Sequence, residues 1–397
     1  MTTSGKHYNN ILFMIIDQLR YDHLQYMPNL FRLAENNGFV KEIKINHLPT
    51  STPSGHATIS TGLLPKDHKI LGSEWFNNDG YLENLMKKDE KVYTIDECIT
   101  DFNSRNSIIT FAKKFQDIGY NVYCLSGKRD VSAILGSGLG INNICDCDDN
   151  NKLLTDEGII NRLKGKLLEF NESSNNLIIV SLSENDYKGH RFGPRSEEVK
   201  NHLTYLDNKL SGILTDRKLK DTIKIITSDH GAVETAYVAR IEELNDKSVF
   251  RLFNSNNGLE IKSSRIFLEK EIKTISDGIC YVFTKDKSLN YKTKNYLQEM
   301  LSNYVNIEDV NTSKLDFIIN SKNELLGDYV LIPRLIASKN FRFVKESWGT
   351  EIKGEHGSIS SEETRIPLIV LSKIELLRLV KQQSEILKNL FEIVRQV

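Results

Sequence analysis

The sequence predicts an α/β fold: a doubly wound, mostly parallel sheet with helices on both faces and an inserted cap region. Two observations carry that expectation. Five short runs, Ile11–Ile16, Tyr120–Leu125, Leu177–Leu182, Ile223–Thr227 and Ile366–Leu371, are apolar enough to be strands buried on both faces of a sheet. Helical patterns lie between them, and strands alternating with helices build parallel sheets. The clearest helix is marked by Val199, Leu203, Leu206, Leu210 and Ile213, whose 4-3-4-3 spacing makes one apolar stripe. A second amphipathic stretch, Lys373 to Val397, is expected to pack on the sheet as a helix.

Polar connectors such as NESSNN (171–176) and NSNNG (254–258) separate these elements, and no internal repeat is present. The stretch 236–350 is less regular and richer in Lys and Asn, so it is expected to be an insertion or cap. The expected catalytic core is then 8–235 together with 351–397. A length of 397 residues is ample for such a core. The 52 basic residues against 53 acidic ones argue against general nucleic-acid binding and against a polybasic membrane surface. No apolar run approaches the roughly 18–20 residues that span a bilayer, and MTTSGKHYNN does not read as a secretory leader. Five scattered cysteines (98, 124, 145, 147 and 280) do not form a disulfide framework, and a cytoplasmic protein is expected. The pair Cys145 and Cys147, in ICDCDD, reads as a solvated acidic loop rather than a metal site.

The chemistry is concentrated at strand ends. Asp17 ends the first strand, Asp186 and His190 follow LIIVSL, and Asp229 and His230 follow IKIIT. His356, in GEHGS, precedes the last strand. In an open α/β sheet the carboxyl ends of strands face the ligand crevice. One Asp at such a place commonly caps a turn or helix; three Asp and three His recurring there point to a metal centre. Six side chains exceed one tetrahedral ion. Shared between two ions, they leave positions open for a nucleophile and a substrate oxygen. The hydroxyl-rich segment HLPTSTPSGHATISTGLLP (47–65) is the expected source of that nucleophile. By spacing alone its Ser or Thr would be a helix N-cap, but beside two metal ions a threonine hydroxyl can ionise and attack phosphorus.

Together these segments resemble the alkaline phosphatase superfamily, in its type I phosphodiesterase/nucleotide pyrophosphatase group, and most of all the phosphate-irrepressible alkaline phosphatases. The resemblance rests on DQLRYDHL (17–24), TSTPSGHATISTG (50–62), GSEWF (72–76), LSGKRDVSAIL (125–135), NDYKGHRFGPRSEE (185–198), TSDHG (227–231) and GEHGS (354–358). It implies two divalent ions, zinc or else manganese, one held by Asp186, His190 and His356 and the other by Asp17, Asp229 and His230. It places the nucleophile at Thr52, whose oxygen approaches the second ion. Because Thr52-Pro53 replaces the usual Thr-x-Pro, Ser51 and Thr50 stay open as alternatives. Lys128 or Arg129 matches the basic residues that contact the phosphate, and Ser73 stands where the family commonly has Asn.

The implied reaction is phosphate monoester hydrolysis of a small-molecule substrate through a phosphothreonine. A phosphodiesterase, nucleotide pyrophosphatase or phosphonate hydrolase is the alternative. A sulfatase is disfavoured, because Gly55 occupies the Arg position that follows a sulfatase nucleophile, and the complete ligand set disfavours an inactive metal-binding homologue.

Overall fold

The computed structural model describes residues 10–72, 74–76, 82–84, 87–88, 91–92, 109–148, 152–169, 175–244, 247–266, 272–284, 288, 290–345 and 349–372. The stretch expected to be a helix at 373–397 lies outside these residues, as does Ser73. Seven strands form the central sheet: β1 (Asn10–Ile16), β2 (Gly38–Lys44), β3 (Asn121–Ser126), β4 (Ile144–Cys145), β5 (Asn176–Leu182), β6 (Thr222–Thr227) and β7 (Arg365–Leu371). Their spatial order is β2-β7-β6-β1-β5-β3-β4. β1 pairs in parallel with both β6 and β5, whereas β7 runs antiparallel to β6 and β2. All five strand runs in the sequence therefore fall in this sheet.

The strands are buried on both faces because helices cover each side. Alternate β1 residues divide between two cores. Leu12, Met14 and Ile16 face one side, and Ile11, Phe13 and Ile15 face the other. On the first side the helix Glu197–Leu214 lays down its whole stripe of Val199, Leu203, Leu206, Leu210 and Ile213. On the second, Phe111 and Phe115 from the helix Phe111–Asp117 and Val131 from the helix Arg129–Leu135 pack against β1 and β5. Among the described residues no helix is long and apolar enough to cross a membrane.

The stretch 236–350 is more regular than its composition suggests. It builds two four-stranded sheets, one from Tyr237–Leu244, Lys247–Asn254, Glu260–Ile266 and Phe341–Phe343, the other from Ile272–Asp277, Ile279–Thr284, Val305–Asp309 and Tyr329–Pro333. Ala239, Phe250, Cys280, Leu331 and Phe343 share one core between the sheets. The outer face carries charged pairs such as Arg251 with Glu242, 3.2 Å apart. That alternation of charge with apolar residues masks the strands in composition.

One helix lies wholly inside the protein. Every residue of Thr52–Thr61 is buried. His68 Nδ1 accepts from the Ile70 N–H at 3.0 Å, so its Nε2–H donates to Thr58 Oγ1 at 3.1 Å, and that hydroxyl can donate onward to His47 Nε2 at 3.3 Å. This relay requires both imidazoles neutral. Burial pulls His47 from 6.5 down to about 4, and burial together with His47 pulls His68 to about 3. Below pH 6.5 the unfolded chain takes up protons that the folded one refuses, so stability should fall as pH drops from 6.5 towards 4. Thermal melts across that window should show a declining Tm, and His47→Gln should flatten the decline. A wild-type Tm constant down to pH 4.5 would contradict the neutral relay.

Candidate metal centre and active site

β6, β1 and β5 are neighbours at the middle of the sheet, with Ile15 opposite Thr227 and Ile16 opposite Leu182. Their carboxyl ends are level, so Asp17, Asp186 and Asp229 arrive at one place. β7 runs the other way, which brings its amino end to the same edge. The loop before it delivers His356 there. That loop is held by a buried pair: Arg342, in the strand Phe341–Phe343, donates from Nε to Glu363 Oε1 at 3.0 Å and from Nη2 to Oε2 at 2.6 Å. Glu363 also accepts from the Ser358 and Ser360 main-chain N–H groups and closes a capping box with Ser360.

The three histidines share one arrangement. His190 Nδ1 lies 2.9 Å from the Gly354 carbonyl, His356 Nδ1 3.0 Å from the Thr50 carbonyl and His230 Nδ1 3.0 Å from the Gly231 carbonyl. A carbonyl can only accept, so each Nδ1 carries the proton and each Nε2 lone pair faces inward, as in ligating histidines. Asp186 Oδ1 stands 3.3 Å from His190 Nε2 and 3.6 Å from His356 Nε2. A tetrahedral ion with bonds of 2.0–2.1 Å would need donor atoms about 3.3 Å apart. These three residues form one group able to hold an ion, and Asp17, Asp186 and His230 form a second. Asp229 Oδ2 is 3.3 Å from His230 Nε2. The donor set therefore fits divalent metal.

The charges point the same way. Burial, then the Asp186 and Asp229 carboxylates, push Asp17 well above the usual carboxyl range. Burial also works against ionised Asp186, but Lys128 and His190 outweigh it and hold that carboxyl well below the range. Burial disfavours His190 charge as well, yet Asp186 and Glu355 raise it to about 10. Three buried carboxylates thus crowd around the single ammonium of Lys128, an excess of negative charge that a bound cation would offset.

Thr52 opens the buried helix, with its Oγ1 3.1 Å from His230 Nε2 and 3.5 Å from Asp17 Oδ1. Thr50 is committed elsewhere: its hydroxyl donates to the Ser358 carbonyl at 2.8 Å. Ser51 is the N-cap residue, and its buried hydroxyl meets no partner. The first turn of the helix approaches the Asp229 backbone closely. A Cβ on Gly55 would come 2.5 Å from the Asp229 carbonyl oxygen and 2.8 Å from its Cβ.

Lys128 and Arg129 diverge. Lys128 is extended just before the helix Arg129–Leu135, and its Nζ reaches Asp17 Oδ2 and Asp186 Oδ2 at 2.6 Å each. Arg129, the first helical residue, turns away and donates to Asp146 Oδ2 and Cys147 Sγ, both at 3.1 Å. The structure thus brings together Asp17, Thr52, Lys128, Asp186, His190, Asp229, His230 and His356, and directs Arg129 elsewhere. Among the described residues no metal-capable group includes Cys145 or Cys147. The site opens into a cleft of about 520 Å³, whose far wall carries Asp277, Lys345 and Glu351, with Asp130 beside Lys128. Asp277, Lys345 and Glu351 belong to no motif, and Asp130 falls within LSGKRDVSAIL without a role that its spacing assigns. Asp277 is placed by backbone contact: the adjacent Gly278 has φ 73, and a Cβ there would overlap the His356 carbonyl.

Residues 11–359 match the family model for type I phosphodiesterase / nucleotide pyrophosphatase. The chain belongs to that family. Its members are hydrolases of phosphoric ester bonds within the alkaline phosphatase superfamily, whose members use divalent metals. Over 91 residues the chain is 31% identical to alkaline phosphatase PafA of Elizabethkingia meningoseptica, a match covering 21% of this chain and 17% of that protein. Over 248 residues it is 26% identical to bovine (Bos taurus) ectonucleotide pyrophosphatase/phosphodiesterase family member 3, covering 59% of this chain and 26% of that one. The matched segments thus span far less than two thirds of these relatives. In fold it resembles inactive murine ectonucleotide pyrophosphatase/phosphodiesterase 5 in complex with AMP, with a TM-score of 0.65 at 15% identity, over 98% of this chain and 95% of that chain.

The Gly55 contact gives a direct check on how the buried helix Thr52–Thr61 sits. Gly55→Ala forces the helix off the Asp229 loop, and overpacking of this kind costs about 1–3 kcal/mol. A lowered Tm in differential scanning calorimetry is the expected result; an unchanged Tm would show that the contact is loose.

Proposed function

We propose that the chain is a metal-dependent phosphohydrolase that acts through a phosphothreonine on Thr52, with phosphate monoesters as its preferred substrates. One observation carries the reading. The Thr52 hydroxyl, at the amino end of a buried helix, faces His230 and Asp17 within a cluster of Asp and His side chains able to hold metal. Two zinc ions, with manganese as the alternative, would be held by Asp186, His190 and His356 on one side and by Asp17, Asp229 and His230 on the other. Bound divalent ions lower the pKa of a coordinated hydroxyl and draw charge from phosphoryl oxygens.

The chain's own residues do the rest. Thr52 Oγ1 gives up its proton and forms a bond to phosphorus, while the P–O bond to the ester oxygen breaks and that oxygen takes up one proton and leaves as an alcohol. Water then attacks the phosphothreonine, releasing phosphate and restoring the hydroxyl. Main-chain N–H groups at the start of the helix face the anionic phosphoryl group. Lys128, in the cleft beside Asp17 and Asp186, supplies a cation for its non-bridging oxygens.

A monoester presents two charges on the transferred group and a diester one, so Lys128 favours monoesters. The diesterase reading keeps a specific basis: Arg129 points away, and Asp130 lines the cleft in its stead.

The purified chain should hold two zinc ions by elemental analysis. Thr52→Ala should keep its zinc and lose turnover of an aryl phosphate by orders of magnitude. Acid-quenched wild-type protein should carry phosphate on the peptide 47–65, at Thr52. Phosphate on Ser51 or Thr50 would move the nucleophile.

The substrate class has its own test. Lys128→Ala should reduce kcat/KM for a phosphate monoester by about tenfold or more, as expected from a charged contact of roughly 1.5–3 kcal/mol, and for a diester much less. Equal losses, or a wild-type enzyme faster on diesters, would favour the phosphodiesterase.

A further inference from the structure

Two side-chain amides flank the aspartates without belonging to the ligand set. Gln18 follows Asp17 and Asn185 precedes Asp186, and both are fully buried. The Gln18 main-chain N–H donates to Asp229 Oδ1 at 3.2 Å, while its side-chain Nε2 donates to Asp186 Oδ1 at 2.9 Å. Asn185 returns the contact, donating from Nδ2 to the Asp17 carbonyl at 2.9 Å. Each amide thus grips the neighbouring strand's aspartate, and Gln18 touches two of the three.

The backbone accepts unfavourable geometry to allow this. Gln18 sits at φ 62, in the left-handed region that side chains seldom occupy. Its Oε1 lies against Gly189, where a Cβ would overlap that oxygen. Glycine inside a helix is otherwise unfavourable. Gln18 Oε1 has no hydrogen-bond partner, so Asp186 alone sets the orientation of the amide. Amide chemistry suits the task. It donates to a carboxylate without cancelling the negative charge that attracts a cation, as Lys would, and without adding more, as Glu would.

We propose that Gln18 and Asn185 are positioning residues: a reciprocal clasp that fixes the spacing of the two halves of the metal centre. Through it Gln18 aims Asp186 Oδ1 at His190 and His356. The inference rests on the two-ion reading above and deepens it.

Gln18→Gly in the full chain separates positioning from folding, because glycine adopts φ 62 without strain. Zinc titration against a chromophoric chelator, Co²⁺ absorption spectra and thermal melts of the metal-free protein are the measurements. The variant should melt at or above the wild-type temperature, yet bind one of its two zinc ions 10–100-fold more weakly, the usual effect of losing such a contact. Its Co²⁺ spectrum should change as well. Asn185→Ala and Gly189→Ala, the latter pushing Gln18 away from below, should weaken the same step. Combined with Gln18→Gly, Asn185→Ala should add less than its separate effect. Wild-type zinc affinities and an unchanged Co²⁺ spectrum in Gln18→Gly would overturn the clasp. So would a loss of affinity that merely tracks a fall in Tm. A wild-type chain that binds two zinc ions but turns over no phosphate ester would sink the proposed function while these titrations still decide the clasp. A chain that binds neither zinc nor cobalt would overturn both.

Discussion

Three buried carboxylates meet at one edge of the sheet, and their repulsion is the constraint on which the rest of the site depends. Asp17, Asp186 and Asp229 arrive there because β1, β5 and β6 are adjacent and in register. Left alone, carboxylates so placed would protonate, as burial and its neighbours already press Asp17 to do. The surroundings answer in two ways. Lys128 bridges Asp17 and Asp186 with positive charge, and neutral donors hold the oxygens in orientation.

The same constraint explains the close backbone approaches. A cation-binding centre must be compact, so the elements that carry it are drawn together until only glycine fits between them. Gly55 lets the buried helix Thr52–Thr61 lie on Asp229, and Gly278, between the strands Ile272–Asp277 and Ile279–Thr284, lets that hairpin lie on the His356 loop. These contacts also explain how one side chain of the cluster can come from beside a strand of opposite direction. β7 runs antiparallel to β6, and the loop at its amino end, braced by Glu363 and Arg342, supplies His356.

Much of this was legible in the sequence, for physical reasons. Strands buried on two faces must be apolar nearly throughout, so β1, β3, β5, β6 and β7 stand out as runs, and residues that end such runs fall at one edge. Asp17, Asp186 and Asp229 could be placed by that rule alone. What escaped reading lacks such a signature. The strands of the 236–350 stretch carry charged pairs such as Arg251 with Glu242, so their composition resembles loop. Gln18 and Asn185 are ordinary polar residues whose role depends on an unusual φ and on contacts between strands distant in sequence. The parting of Lys128 from Arg129 depends on where a helix starts, the least readable feature of any sequence.

That parting bears on chemistry more than any other detail. Two adjacent cations would have made the cleft strongly favourable to a dianion. With Arg129 bound to Asp146 and Cys147, the positive charge facing the phosphoryl position comes from Lys128 and whatever metal the centre holds. Asp130, Asp277 and Glu351 line the same cleft as Lys345, so charges of both signs border its outer part. Discrimination between a monoester and a diester then rests on a balance. On the reading proposed above, the lysine would draw in the second charge of a monoester, while Asp130, Asp277 and Glu351 would disfavour an anionic group that reached the outer cleft. Such a cleft would then suit a leaving group with little negative charge of its own, since only the transferred phosphoryl would meet the cation and nothing anionic would face those carboxylates.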